Sequence, residues 1–404
     1  MIEFEKEEKS VASIHVIGVG GAGGNTINSM VESGYKSIKF IAANTDSQSL
    51  NESFAHETIQ LGVKSTKGLG AGANPEVGRR AAEEDIEKII ECSKDADIVF
   101  LTAGMGGGTG SGASSVIAKA LKERGILTVA IVTKPFTFEG KRRALIAEEC
   151  IEQLRKEVDT LIIMPNQKLI ETVGKDVSML DAFKMINDVL NKSVKGISDI
   201  ITRSGHINVD FADLKAIMKD QGIAVMGTGR ASGPNRAKDA VLDAITSPLL
   251  ENMNVEGAQS VLLNITGGKN LGLHEINEIA TVIYEQADEK ANIIIGSVID
   301  DSLTDELHVT IIATGFAKPE VVEVALQADS AEPVKVEVSK AEESIKPAMK
   351  DEVKIKPTLL DRPQEALQAE QRKDNIIAIK EVKKDVTLAT MQDLDVPTYL
   401  RKQQ

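Results

Sequence analysis

The sequence predicts an α/β protein: a parallel-sheet, Rossmann-like domain, a long central helix, a smaller α/β domain with a mixed sheet, then a disordered tail. Three observations carry this reading. Short apolar, β-rich runs alternate with helical patterns from residue 13 to about 180, the rhythm of strand–helix–strand units. The longest helical pattern, 181–203, sets Phe183, Ile186, Leu190, Val194, Ile197 and Ile201 on one stripe, long enough to connect two domains. Beyond Gly315 glycine disappears, and no aromatic residue stands between Phe316 and Tyr399. The expected units are an arm at 1–10, a first domain at 11–180, the helix at 181–204, a second domain at 205–316, a linker at 317–390 and a terminal peptide at 391–404.

Composition narrows the function. At 404 residues the chain can bury a sizeable core, and 42% hydrophobic content is that of a globular protein. A net charge of −14, no tryptophan and 3% aromatics argue against nucleic acid as the main partner. No apolar run approaches membrane-spanning length, and MIEFEKEEKS lacks an apolar signal core, so neither membrane insertion nor secretion is expected. Cys92 and Cys150 lie in helical patterns and read as buried thiols of a reducing, cytoplasmic compartment. The histidines and cysteines never cluster, so no protein metal site is expected.

Taken in order, the first strand is 13–18, SIHVIG, followed by a glycine turn and the helix TINSMVES. Gly18, Gly20 and Gly23 satisfy GxGxxG between strand and helix, which makes a dinucleotide-binding oxidoreductase a rival reading. That fingerprint wants an acid about 20 positions on, at the end of the second strand. The second strand, 38–42, is followed instead by Asn44, Thr45 and only then Asp46. A third glycine-rich stretch, GLGAGANP at 68–75, reads either as a phosphate-side loop or as a surface turn before the helix 76–92.

Residues 103–115, AGMGGGTGSGASS, follow the apolar strand 97–101 and precede the helix SSVIAKALKERG. Gly104, Gly106, Gly107, Gly108, Gly110 and Gly112 leave the backbone nearly bare around Thr109. Such a loop brings several N–H groups close to one anion at the positive end of a helix, and a diphosphate or triphosphate suits it. The loop is not GxxxxGK followed by Ser or Thr, so no lysine meets the phosphates.

After the strand 128–133, Glu139 and Arg143 fall four apart at a helix start. They form either an ordinary surface pair or a ribose and phosphate contact. A further strand at 161–164 ends in Pro165 and Asn166, and on the long helix Phe183 and Asn187 share a face. A ring beside an amide suits a base, and a core ring beside a solvated amide is the plainer alternative. Asp213 reads as the N-cap of the helix LKAIMKD, while Asp210 and Asp213 together are able to position a water for phosphoryl transfer. Nothing acidic lies within 103–115, so catalytic acids must come from elsewhere in the fold or from another subunit. The second domain reads as strands 223–228, 260–266, 292–299 and 308–314 with helices 235–245 and 274–286. The segment 318–385 alternates charges of both signs and holds five of the 11 prolines, too little apolar surface to offset its ordering entropy.

The motifs together resemble the FtsZ family of the tubulin superfamily, bacterial division GTPases. The pieces are VIGVGGAGGN (16–25), NTD (44–46), GLGAGANP (68–75), GMGGGTGSG (104–112), TKPFTFEGKRR (133–143), MPN (164–166), AFKMINDVL (182–190), NVDFADL (208–214) and DVPTYLRKQ (395–403). The resemblance implies GTP held by Gly21, Ala22, Gly23, Gly24 and Asn25 and by the loop residues Gly104, Gly106, Gly107, Gly108, Thr109 and Gly110. It implies Glu139 and Arg143 at ribose and phosphate, Phe183 and Asn187 at guanine, and Asn166 and Asp188 nearby. It further implies that Asn208, Asp210 and Asp213 act on the nucleotide of the next subunit in a head-to-tail filament, with Mg²⁺ on the phosphates. The implied setting is a cytoplasmic division ring at mid-cell, where residues 393–404 bind membrane-tethering and regulatory partners. Plasmid segregation or cell shape, by a tubulin-like relative, is the alternative. His206 stands where the family usually has an apolar residue, and nothing in the resemblance covers the acidic arm.

Overall fold

The computed structural model describes residues 12–316, apart from 36, 173–176, 203–206, 208 and 248–256. The expected arm, linker and terminal peptide, together with His206 and Asn208, lie outside the described residues.

The first half alternates strand and helix. It runs β1 (Ile14–Val19), α1 (Gly20–Glu32), β2 (Ile38–Asn44), α2 (Ser47–Asn51), β3 (Glu57–Gln60), α3 (Val63–Thr66) and α4 (Pro75–Ser93). It continues with β4 (Ile98–Gly104), α5 (Thr109–Glu123), β5 (Leu127–Lys134), α6 (Lys141–Glu157), β6 (Thr160–Pro165) and α7 (Asn166–Thr172). Then come α8 (Met179–Thr202), α9 (Phe211–Met218), β7 (Gly222–Ser232), α10 (Arg236–Ile245), β8 (Ser260–Gly267), α11 (Leu273–Gln286), β9 (Asn292–Ile299) and β10 (Glu306–Thr314). α2, β3, α3 and α7 carry seven residues or fewer and show no periodicity that a sequence pattern would register.

The described strands form one ten-stranded sheet, β3-β2-β1-β4-β5-β6-β7-β10-β8-β9. From β3 to β7 all neighbours are parallel. β10 runs antiparallel to both β7 and β8, and β9 is parallel to β8. The order 3-2-1-4-5-6 is that of a doubly wound sheet, whose strand order reverses between β1 and β4. β7 joins the two halves through a short parallel pairing with β6, Thr160 to Gly222 through Ile162 to Ala224.

Both faces of the parallel part are covered, which explains its unbroken apolar strands. Val16, Phe40, Phe100 and Ile131 pack under α1 and α8, in a core that continues through Ile186, Leu190, Val194 and Ile197 to Met226 and Leu262. Ile17, Ile41, Val99 and Val132 face α4, α5 and α6. In the second half Val261, Leu263 and Ile311 pack against Ile279 and Ile283 of α11 and Val241 of α10. Cys150 is buried, whereas Cys92 is only half-buried, and both are free thiols. Burial, and then a hydrogen bond to Glu57, pushes the Cys92 thiol up to about 11.

Two helices begin earlier than the apolar spacing indicates. α1 starts at Gly20 and α5 at Thr109, so parts of both glycine runs are first helical turns rather than loop. The reason is close packing. A Cβ on Gly112 would stand 1.9 Å from the Pro75 carbonyl oxygen, and one on Gly78 would stand 2.3 Å from that of Gly108. α4 and α5 therefore cross backbone to backbone, and the apolar side chains that signal a helix appear only further along. The N-cap of α9 also differs from expectation. It is Asp210, whose carboxylate accepts the Asp213 N–H at 2.8 Å, while Asp213 answers from the N3 position by accepting the Asp210 N–H.

Gly112→Ala is expected to lower stability by about 3 kcal/mol, because overpacking against a fixed carbonyl outweighs the roughly 1 kcal/mol gained in helix propensity. Thermal unfolding of the full chain checks the sign.

Candidate functional site

The carboxyl ends of the parallel strands open onto a cavity of about 400 Å³, lined by Val19 at the end of β1, Gly104 at the end of β4 and Thr133 on β5. This is the switch point of the sheet, where doubly wound folds bind their ligands. The size falls within the usual range for ligand pockets, about 300–1,000 Å³.

The floor is made by two helix amino ends. α1 follows Val19 and α5 follows Gly108, and neither helix has a side-chain cap or an acid in its first turn. Three other helices carry side-chain caps, α2 by Asp46, α4 by Asn74 and α9 by Asp210, whereas α3, α6 and α10, like α1 and α5, carry none. A helix start leaves N–H groups without intrahelical acceptors, at the positive end of the dipole. Two such ends at one cavity form an anion cradle. Gly20, with a φ of +72°, lets the two ends meet, since a Cβ there would come 3.0 Å from the Gly110 nitrogen. The Thr109 hydroxyl is held 2.6 Å from that of buried Thr45.

Across the cavity stand a ring and two amides. Phe183 is 41% exposed although it continues the buried stripe of α8. Its ring meets Phe136 edge-on at 5.5 Å, and Phe136 in turn stacks on Phe138 at 4.9 Å. Asn187 Oδ1 lies 3.2 Å from the Thr26 hydroxyl. Asn166, at the start of α7, is 6% exposed, and its Oδ1 is a buried acceptor without a hydrogen-bond partner. Such an atom costs free energy unless a ligand completes it.

Arg143 is the single cation and Glu139 the single carboxylate among the described lining residues. Glu139 is committed twice: one oxygen accepts the Phe136 N–H at 2.9 Å and the other accepts the Arg143 guanidinium. The i,i+4 pair of the sequence is thus formed, and it is formed at the cavity.

The structure brings together Gly21, Ala22, Asn25, Gly104, Gly107, Gly108, Thr109, Gly110, Glu139, Arg143, Asn166, Phe183 and Asn187. Other expected residues stand elsewhere. Gly23 is a packing glycine, whose Cβ would lie 2.6 Å from the Thr102 carbonyl oxygen of β4. Gly24 does not line the cavity. Gly106 shapes the loop: its φ is +94°, a Cβ would meet the Arg143 carbonyl at 2.7 Å, and its N–H donates to the Ser111 hydroxyl at 2.8 Å. Asp188 faces a neighbouring groove with Asn191 and Lys192. Asp210 and Asp213 are exposed and line no part of the cavity. The carboxyl end of α9 is tied to Thr160, at the amino end of β6, the strand edge opposite the cavity.

The sequence reading passed over Thr26, Thr45 and Thr133. Thr26 was legible as the residue four after Ala22 on the same helix face. Thr45 was legible only as the centre of the NTD motif, with no indication that its hydroxyl meets Thr109.

Two helix amino ends at a switch point, faced by an aromatic ring and an amide whose oxygen has no partner, define a nucleotide-binding α/β protein. Family comparison agrees: residues 13–174 match the Tubulin/FtsZ family GTPase domain, and residues 222–317 match the FtsZ family C-terminal domain. The cell division protein FtsZ of Pseudomonas aeruginosa is 47% identical over 408 aligned positions, covering 100% of both chains. Among solved structures, the empty FtsZ dimer of M. jannaschii superposes with a TM-score of 0.73 at 43% identity, over 76% of this chain and 89% of that one. CetZ2 from Haloferax volcanii, solved as a GTPγS-bound protofilament, shares the fold with a TM-score of 0.65 at 21% identity, over 77% of this chain and 95% of that one. The chain belongs to the FtsZ family. It is a GTPase, and a GTP-dependent cytoskeletal protein of cell division.

Asn166→Ala removes a buried acceptor that the protein itself leaves unsatisfied. It is expected to weaken GTP binding roughly tenfold without lowering the stability of the ligand-free chain. Equilibrium binding of a fluorescent GTP analogue and a thermal melt, run on the same sample, check both halves.

Proposed function

We propose that the cradle holds the phosphates of GTP on the first-turn N–H groups of α1 and α5, with Gly21, Ala22 and Asn25 and with Gly104 and Gly107–Gly110 around them. Arg143 adds a charge-assisted contact to phosphate, Glu139 accepts from the ribose, Phe183 stacks on guanine, and Asn187 and Asn166 hydrogen-bond its edge, with Asp188 at the rim. Mg²⁺ would be held by the phosphates of the bound nucleotide and would neutralise their charge.

Hydrolysis is in-line attack of water on the γ-phosphate. The acids that orient this water are Asp210 and Asp213, with Asn208 beside them, supplied by the next copy of the chain in a head-to-tail filament. The supporting observation is that the cavity's one described carboxylate, Glu139, is already occupied on both oxygens. On α9, by contrast, the reciprocal capping box uses one oxygen of each aspartate and leaves the other outside the box. Binding then precedes assembly, and turnover follows it. The relatives solved as a dimer and as a protofilament are consistent with such assembly. The same reading places the filament at a cytoplasmic mid-cell ring, tethered through residues 393–404 to membrane-bound and regulatory division proteins.

GTP hydrolysis per molecule, measured against protein concentration with Mg²⁺ present, is expected to be near zero when dilute and to rise above a threshold. A rate per molecule independent of concentration would overturn the shared site. Asp210→Asn keeps a capping side chain but loses the charge. It is expected to cut turnover about 100-fold or more while GTP binding is retained.

A further inference from the structure

What sets the position of α9 matters, because Asp210 and Asp213 ride on its first turn. Its apolar residues Leu214, Ile217 and Met218 are buried, and Val209 and half-buried Phe211 flank Asp210. These apolar contacts hold the helix on the core. Directional contacts hold the chain on both sides of it: ahead of the helix Ile207 pairs with Ser297 of β9, and others act at its carboxyl end. Thr160 of β6 donates to the Met218 carbonyl, and Thr314 of β10 donates to the Ile217 carbonyl at 2.9 Å. These satisfy helix-end carbonyls that need partners in any case.

The third contact at that end is of another kind. Lys122, in the last turn of α5, reaches Asp220 at 2.7 Å, just beyond α9. Asp220 has a φ of +56°, a left-handed turn uncommon for a residue with a side chain. Lys122 also donates to the Val158 carbonyl at 3.1 Å and stands 3.5 Å from buried Asp159. Asp159 is itself seated, accepting the Thr128 N–H of β5 at 2.9 Å. Burial pulls the Lys122 ammonium down, and its bonds and charges from Asp220 and Asp159 more than offset this, leaving it above the ordinary lysine value. The lysine is therefore anchored on the β5–β6 edge and holds the α9–β7 turn against it.

We infer that Lys122 is a positioning residue for GTP hydrolysis in the neighbouring subunit: its bond to Asp220 fixes the tilt of α9 and hence the placement of Asp210 and Asp213. The inference rests on the reading that those acids act across a subunit interface. An eight-residue helix is about 12 Å long, so a tilt of about 5° at one end moves the other by about 1 Å. Displacements of that size are able to cost about 100-fold in rate.

Mixed assemblies of full-length chains test the idea. A chain carrying Asp210→Asn keeps its pocket and lacks the acid. A chain carrying Gly21→Glu keeps the acids and has a carboxylate in its phosphate cradle, at a position where a Cβ meets nothing within 4 Å. Neither alone should turn over, and their mixture should. Adding Lys122→Met to the Gly21→Glu chain should lower the mixed rate tenfold or more. Adding it to the Asp210→Asn chain should leave the rate within twofold. Asp220→Gly, which removes the acceptor and adopts a left-handed backbone freely, should reproduce the same one-sided loss, and Lys122→Arg should restore most of the rate. Equal loss in both chains, or loss in neither, overturns the role of Lys122. A mixture silent before Lys122 is touched overturns the shared site itself, and this inference with it.

Discussion

The structure depends on two helix amino ends left without caps at one point of one sheet. Each uncapped end presents N–H groups and about half a positive charge, and placing two of them together is unfavourable unless an anion lies between. Asp46, Asn74 and Asp210 show that this chain caps helices with side chains elsewhere. At α1 and α5 it does not. On the proposed reading, backbone N–H groups meet the phosphates together with Arg143, and no lysine follows the glycines.

Bringing those ends together is a packing problem, and glycine solves it. Gly112 and Gly78 let α5 cross α4 at backbone contact, while Gly18 and Gly23 let α1 lie against β1 and β4. The glycines of the two motifs therefore divide their labour. Some line the cavity, and others allow the helices that do so to approach. Gly23 and Gly106 belong to the second group, although both sit in motifs whose recognised role is ligand binding.

The cavity is well supplied with donors and poor in acids. Glu139 neutralises Arg143 and fixes the turn that carries Phe136, so it orders the site more than it charges it. The exposed aspartates of α9 stand apart, tied at the far strand edge by Thr160 and Lys122. On the proposed reading, binding and hydrolysis are thereby separated in space, and assembly rejoins them.

Much of this was legible from residues alone. Strand order aside, the apolar runs located β1, β2, β5 and β6 to within two residues and β4 to within three, since strands buried on both faces read as continuous apolar sequence. The glycine motifs marked the side of the sheet on which the cavity opens, because bare backbone is a local property. The stripe of α8 was visible too, including Phe183, for which the residues alone left a core ring and a base-facing ring both open. Three things required the tertiary structure. The helical glycines, the pairing of β6 with β7 and the bond of Thr45 to Thr109 all depend on which backbones approach one another, and sequence spacing carries no information about that. The capping of α9 by Asp210 rather than Asp213 turned on one helical register, a choice that two acids three apart leave open. Sequence determined the elements and the chemistry available to them; the fold decided which groups face the cavity and which are held away from it, because that outcome belongs to the long-range contacts.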